Sequence, residues 1–175
     1  MSFDVFLVPS SATPGGPEAR AATDGALLLC GARRAHPDQD LVLCTGEEVE
    51  FYGADDDPGG MFALRGGLSP ELAQVIFEIA DATACYIMAA DESGAVLRTP
   101  GNSGAPLLAD EDAGDEDEVA REVIPVADPA ELAQRLMGGF EAWSGYRDGI
   151  GTQAPPADEP NSLLGRFWSR LTKRS

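Results

Sequence analysis

A chain of 175 residues, 43% of them hydrophobic, is long enough for one domain with a buried core, and no apolar run in it approaches the roughly 20 residues that span a bilayer. Its charge is divided: residues 1–160 carry 8 Arg and 30 Asp or Glu, whereas residues 161–175 carry 4 basic residues and no acid, which leaves −18 overall. This field argues against nucleic acid as a direct partner and favours a basic protein partner.

The N-terminal part of the chain predicts short strands and one partial helix. Phe3–Val8 alternates and is rich in strand-forming residues, so it predicts the first strand. The Ala- and Leu-rich segment Glu18–Ala35 favours a helix over part of its length, which its glycines weaken. Leu41–Thr45 and Glu48–Tyr52 predict a hairpin, and Met61–Arg65 predicts a further strand.

The clearest helix begins at Ser69-Pro70, because serine is a good N-cap and proline in the first turn loses no needed N–H. Its apolar stripe is Leu72, Val75, Ile76 and Ile79. Cys85–Ala89 and Ala95–Thr99 predict two more strands, and a helix from Asp128 follows, with the stripe Leu132, Leu136 and Phe140. These elements predict an α+β domain over residues 1–150, with a single mainly antiparallel sheet and two or three helices.

Residues 99–107 read TPGNSGAPL and resemble the GNSGGPL segment around the nucleophile of trypsin-like serine proteases. The resemblance implies a hydrolase in which Ser103 is the nucleophile, an oxyanion hole lies beside it, and His36 is the base. That fold needs two β-barrels, whereas a strong helix is predicted in the middle of this chain, and the usual sequence around the catalytic histidine is absent. A loop that leaves a strand is therefore favoured, and no catalytic residue is predicted.

Two acidic runs are predicted to bind a basic protein partner. The first is Asp55, Asp56 and Asp57; the second is Asp110, Glu111, Asp112, Asp115, Glu116, Asp117 and Glu118. Exposed aromatic residues would anchor the partner, since interface hot spots favour Trp and Tyr, and the candidates are Tyr52, Trp143 and Tyr146. The alternative is that the acids only keep the protein in solution.

No metal ion or cofactor is predicted. In the second acidic run, Gly114 falls one position too early for an EF-hand calcium loop. The three cysteines and His36 lack the spacing of a zinc site, and no phosphate-binding glycine loop occurs.

The C-terminal end predicts a Pro-rich linker, residues 151–160, followed by a basic amphipathic tail, residues 161–175. The apolar stripe of the tail is Leu163, Leu164, Phe167, Trp168 and Leu171, and its basic flank is Arg166, Arg170, Lys173 and Arg174. This composition is typical of an interfacial helix that lies on anionic lipid or docks in an acidic groove. The alternatives are that the tail packs on its own acidic body or frays.

Several segments together resemble an uncharacterised family of small bacterial cytosolic proteins, namely Met1–Leu7, Glu50–Gly53, Gly60–Phe62, Val75–Ala80 and Tyr86–Met88. Such proteins are similar in size and architecture to the immunity proteins of bacterial toxin systems, which are often acidic and bind the active face of their toxin. The resemblance implies a cytoplasmic, non-catalytic inhibitor of a basic toxin domain. The two alternatives are a hydrolase with Ser103 as nucleophile and a membrane-peripheral adaptor anchored by its tail.

Overall fold

The computed structural model describes residues 3–36, 39–53, 59–65, 67–90, 95–107 and 122–138. In these residues the chain forms eight strands and three helices. In chain order they are β1 (Phe3–Val8), α1 (Gly16–Leu29), β2 (Arg33–His36), β3 (Gln39–Val42), β4 (Glu48–Tyr52), β5 (Gly60–Leu64), α2 (Pro70–Thr83), β6 (Tyr86–Ala89), β7 (Val96–Arg98), β8 (Val123–Pro125) and α3 (129–138).

The strands form one sheet in the order β2-β3-β4-β5-β1-β6-β7-β8. Every pair of neighbours is antiparallel except the last, in which β7 and β8 run parallel. The prediction of an α+β fold with a mainly antiparallel sheet is therefore confirmed. The parallel pair brings the carboxyl ends of β7 and β8 to the same edge of the sheet, and the structure places a cleft there.

The hydrophobic core lies between the helices and one face of the sheet. Alternate residues of β1 enter it, and so does the predicted stripe of α2, because a strand repeats every two residues and a helix every 3.6. Leu132 and Leu136 of α3 join the same buried cluster, so these members of the predicted stripe are confirmed, while Phe140 lies outside the described residues. The strand and helix members of this cluster include Phe3, Val5, Leu7, Leu72, Val75, Ile76 and Ile79.

Ser69 caps α2 as predicted. Its side-chain oxygen accepts a hydrogen bond from the Leu72 N–H at 3.2 Å, and its hydroxyl donates to Glu47 Oε2 at 2.9 Å. The second bond ties the start of α2 to the turn between β3 and β4. One serine thus satisfies an orphan helix donor and also links two elements that are distant in sequence.

Around α1, the prediction of a helix over part of Glu18–Ala35 is confirmed, whereas two strands differ from prediction. The helix ends at Leu29, because Gly31 takes a φ of +66° and the Ala32 N–H donates back to the Leu27 carbonyl, as in a Schellman motif. Residues 33–35, which lie at the end of the segment predicted to be partly helical, instead form the edge strand β2 together with His36. The strand β3 lies two residues earlier than predicted, since Leu43–Glu47 close the hairpin turn.

The strand β8 was not predicted. It is only three residues long and is formed by parallel pairing with β7, with Val96 opposite Val123. None of the helices in the described part of the chain combines the length and the apolar character needed to cross a bilayer.

Candidate functional site

Most of the predicted partner-binding and tail residues lie outside the described residues. This holds for both acidic runs, for Trp143 and Tyr146, and for the whole linker and tail. Their roles stay predictions. Two of the singled-out side chains, Tyr52 and Ser103, are described, and each marks a different surface of the sheet.

Tyr52 belongs to the acidic face, which we define as the side of β4 that carries Glu48, Glu50 and Tyr52. Side chains alternate along a strand, so these three project away from Val49 and Phe51, which are buried in the core. The Tyr52 ring is 44% exposed. The strand therefore presents two carboxylates and an aromatic ring in one row on the side of the sheet opposite the core.

The charges of the acidic face are only partly neutralised. Arg65 pairs with Glu50 at 2.7 Å, and the Tyr52 hydroxyl donates to the same carboxylate at 3.1 Å. That hydrogen bond to Glu50 is the main cause that raises the pKa of Tyr52. Glu48 is exposed and forms no ion pair with any described residue. An exposed ion pair such as Arg65–Glu50 is screened by water and salt, so it leaves the surface open to a partner.

Ser103 lies at the other end of the sheet, in an open cleft of about 570 Å³ that we call the β7–β8 cleft. One wall is the loop that leaves β7, and the other is the turn between β8 and α3. From the first wall come Arg98, Thr99, Pro100, Asn102 and Ser103, and from the second come Pro125, Val126, Ala127 and Glu131.

The loop that carries Ser103 is fastened by Asn102, which is only 2% exposed. Its Nδ2 donates to the Ala84 carbonyl at 2.9 Å, and its Oδ1 accepts from the Gly104 N–H at 2.9 Å. The same Ala84 carbonyl accepts hydrogen bonds from the hydroxyls of Ser10 and Thr13. The GNSG segment therefore holds a loop against the end of α2, which is a structural role for the asparagine.

The structure does not bring Ser103 and His36 together. His36 belongs to β2 at one edge of the sheet, while Ser103 follows β7 near the other edge, six strands away in the sheet order. At a spacing of roughly 4.8 Å, six steps amount to roughly 29 Å along the sheet. Since His36 is the single histidine of the chain, Ser103 has no imidazole base within this fold.

Ser103 is accordingly expected to stay unlabelled by a fluorophosphonate probe, because its hydroxyl lacks a base to activate it. Ser103→Ala should change the free energy of unfolding by no more than about 0.5 kcal/mol, as for other exposed positions. Mass spectrometry of probe-treated protein checks the first point and urea unfolding checks the second. A probe adduct on Ser103 that disappears in the alanine variant would restore the hydrolase hypothesis.

Arg98 is the one basic side chain that lines the β7–β8 cleft. It is half-buried and forms no ion pair with any described residue. Its guanidinium lies against the backbone of Gly104, where an added Cβ would come within 2.5 Å of Nη1. Gly104 also has a φ of +82°, so glycine suits this position both in conformation and in space.

The opposite wall of the cleft carries the carboxylate of Glu131, which is held by hydrogen bonds. The Asp128 carboxylate accepts the Glu131 N–H at 2.8 Å and so caps α3, at the residue where this helix was predicted to begin. The Glu131 carboxylate accepts from the Ala127 N–H at 2.9 Å and from Arg135 at 3.3 Å. The hydrogen bond from Ala127, and then that from Arg135, lower the pKa of Glu131. Glu131 is thus an ionised, partnered carboxylate at the rim.

Thr99 adds an unmet hydrogen-bonding group to the cleft wall. The residue is 1% exposed, and its Oγ1 is the one buried side-chain polar atom among the described residues that lacks a hydrogen-bond partner. Buried hydroxyls are usually paired, so an unpaired one needs a reason. No cluster of His, Cys, Asp or Glu that could hold a metal ion occurs in the described ranges.

Comparison with protein-family models, with curated proteins and with solved structures found no match to this chain. The resemblance to small bacterial proteins and to immunity proteins therefore stays a prediction. In the part of the chain that the structure describes, the acidic face and the β7–β8 cleft are the two surfaces that carry polar or charged groups suited to binding.

The sequence singled out Tyr52 and Ser103, but it did not predict that Arg98, Thr99 and Glu131 line the same cleft as Ser103. Their proximity depends on the parallel pairing of β7 and β8, whose residues are more than twenty positions apart in the chain. The proline and glycine residues after Arg98 did indicate a loop. They did not indicate which segment faces it.

Proposed function

We propose that this protein is a non-catalytic acidic interaction protein that captures a basic protein partner, and most concretely an immunity-type inhibitor of a basic toxin domain. The acidic face is the observation that carries this proposal. Glu48 and Glu50 supply negative charge on the side of β4 that faces away from the core, and the Tyr52 ring beside them supplies contact area.

The electrostatics of the whole chain act in the same direction. A net charge of −18 attracts a basic protein over distances of about one Debye length, which is about 8 Å at physiological salt. Attraction of this kind mainly raises the association rate, while buried aromatic anchors mainly slow dissociation. The acidic face combines both features. In the sequence it is followed closely by the acidic run Asp55–Asp57.

The immobilised protein is used to capture basic proteins from lysate, and the product of any neighbouring toxin gene is tested as a candidate partner. The binding kinetics of the partner are then measured at about 50 mM and about 300 mM salt. We expect the association rate constant to fall several-fold at the higher salt concentration. Glu48→Gln should lower it at low salt, whereas Glu18→Gln, the same charge change on α1, should have a smaller effect. Recovery of no basic protein, or an association rate indifferent to salt, contradicts the proposal.

Variants of Tyr52 distinguish, in the same assay, a contact that slows dissociation from charges that speed association. Tyr52→Ala should increase the dissociation rate constant by about 30-fold, the equivalent of a hot spot of about 2 kcal/mol. Tyr52→Phe keeps the ring and loses only the hydrogen bond to Glu50, so it should stay close to the wild type. Equal behaviour of the alanine variant and the wild type would remove Tyr52 from the interface.

A further inference from the structure

A second binding site lies away from the acidic face, at the carboxyl ends of β7 and β8. We propose that the β7–β8 cleft binds the carboxylate group of a small organic acid, with Arg98 as the charged contact. This site is independent of the proposed function, since β4 and β7 are separated by three other strands in the sheet.

The first argument is the state of Arg98. Arg98 is only partly exposed, and its guanidinium pairs with no carboxylate among the described residues. A bound carboxylate would supply a partner for this charge. Arginine presents a planar fork of N–H groups that matches a carboxylate with two parallel hydrogen bonds.

The second argument is the fixed surface beside this guanidinium. Its Nη1 lies close to the backbone of Gly104, and the Gly104 N–H donates to Asn102, which is hydrogen-bonded to the Ala84 carbonyl at the end of α2. A loop that is already fastened does not have to be ordered when a ligand binds, which lowers the entropic cost of binding. The loop that resembles a nucleophile segment therefore forms a fixed wall next to Arg98.

The third argument is that two hydroxyl residues line the cleft together with Arg98. Thr99 has a buried Oγ1 without a hydrogen-bond partner among the described residues, and Ser103 is exposed. A carboxylate has about four lone-pair positions, so it can accept from an arginine and from a neighbouring hydroxyl at once. The Thr99 hydroxyl is thus a second group in this wall that lacks a partner.

The other wall selects a carboxylate over a phosphate. Asp128 and Glu131 lie at the start of α3, where they already accept the Glu131 N–H and the Ala127 N–H. A doubly charged phosphate would meet these two acids without gaining either N–H group. A singly charged, planar carboxylate takes its charged contact from the guanidinium, and Pro100 and Pro125 offer apolar surface to its hydrocarbon part.

The size of the cleft fits such a ligand. Small-molecule sites commonly occupy about 300–1,000 Å³. The volume here, about 570 Å³, lies inside that range. A ring or a short branched chain next to the carboxylate would fit this space.

The test is a titration of the full-length, ¹⁵N-labelled protein with sodium benzoate up to about 50 mM, a range that covers millimolar dissociation constants. Saturable shifts are expected at the amides of Arg98, Thr99, Ser103 and Val126. Benzamide, which has the same shape without the charge, and sodium phosphate should each shift these amides far less. Shifts that fail to saturate, or equal shifts with benzamide or phosphate, overturn the proposal.

Variants show whether Arg98 is the contact. Arg98→Gln should weaken benzoate binding at least tenfold, and Arg98→Lys should weaken it less. Arg65→Gln makes the same charge change at an exposed site just after β5 and should leave binding unchanged. Equal effects of Arg98→Gln and Arg65→Gln overturn the assignment.

A pair of glycine variants tests the same assignment without changing Arg98 itself. Gly104→Ala and Gly46→Ala introduce the same strain, since both positions have φ above +80°, but only the Cβ at position 104 collides with the guanidinium. Both should lower the unfolding midpoint to a similar degree, and only Gly104→Ala should also weaken benzoate binding. Unchanged benzoate binding in Gly104→Ala contradicts the close placement of the guanidinium against Gly104.

Discussion

Gly101→Ala is expected to destabilise the protein by about 3 kcal/mol, at the upper end of the usual cost of overpacking. The backbone of Gly101 lies directly against the last turn of α2. An added Cβ would overlap the carbonyl oxygen of Asp81 and lie 2.7 Å from its Cγ. A backbone oxygen cannot rotate away as a side chain can, so the loop or the helix has to move.

Movement there also breaks bonds that hold the loop. The Gly101 N–H donates to Asp81 Oδ1, and the next residue, Asn102, donates to Ala84 just beyond the helix. Lifting the loop away from α2 strains both contacts at once. The unfolding midpoint in urea should therefore fall clearly, and the amides of residues 98–104 should shift in ¹⁵N spectra.

Gly25→Ala is the matched control. Gly25 is exposed within α1, and a Cβ there meets nothing within 4 Å. Alanine is favoured over glycine in a helix interior by about 1 kcal/mol, so this variant should be more stable than the wild type. If both variants changed stability in the same direction, the close approach of Gly101 to α2 would be wrong.

The elements that could be predicted are those whose signals are local. The N-cap Ser69 and the apolar stripe of α2 lie within a few residues of one another, and α2 has the predicted start and buried face. The alternation in β1 works in the same way. In such elements the periodicity of burial and the capping chemistry act between residues a few positions apart.

The strands that escaped prediction depend on partners far away in the chain. Residues 33–36 are mostly polar, and Arg34 lies in β2 because it pairs with Leu41, contacts the Phe51 ring and bonds to Asp24. The three residues of β8 become a strand only beside β7. Val123 and Ile124 favour a strand, but a run of three residues that ends at a proline is too short to predict one on its own.

The β7–β8 cleft escaped prediction for the same reason. Ser103 attracted attention because TPGNSGAPL resembles a known nucleophile segment, whereas the buried residue of that segment is Asn102. The segment forms a tight loop, in which Gly101 allows the close approach to Asp81 and Gly104 allows the close approach to Arg98. Its chemistry differs, since the partners that would activate a serine lie elsewhere in the sheet.

Asn102→Asp is expected to make the stability of the protein strongly dependent on pH. Below about pH 4 the new side chain is protonated and can replace the amide almost atom for atom. Its hydroxyl can donate to the Ala84 carbonyl, and its carbonyl can accept from Gly104. The variant should then be nearly as stable as the wild type.

As the pH rises, ionisation would place a negative charge in a buried position beside the Ala84 carbonyl. The folded protein therefore holds the pKa of this carboxyl above its unfolded value, and stability is lost as the pH rises through that interval. The loss of stability at pH 7 cannot exceed about 4 kcal/mol. If burying the charge would cost more than this, the side chain stays protonated in the folded protein, and the cost is then that of protonating a group whose unfolded pKa is about 3.9. Urea unfolding of variant and wild type between pH 4 and pH 7 measures it.

Three further variants isolate the cause of that dependence. Asn102→Ala removes the same hydrogen bonds without a titrating group, so its loss of stability should be constant across the pH range relative to the wild type. Gln134→Glu adds an acid at an exposed position of α3 and should show almost no dependence. Combining Asn102→Asp with Arg98→Gln removes any attraction between the new carboxylate and the guanidinium. A flat profile for Asn102→Asp would mean that this side chain reaches water and that Asn102 does not fasten the loop as described.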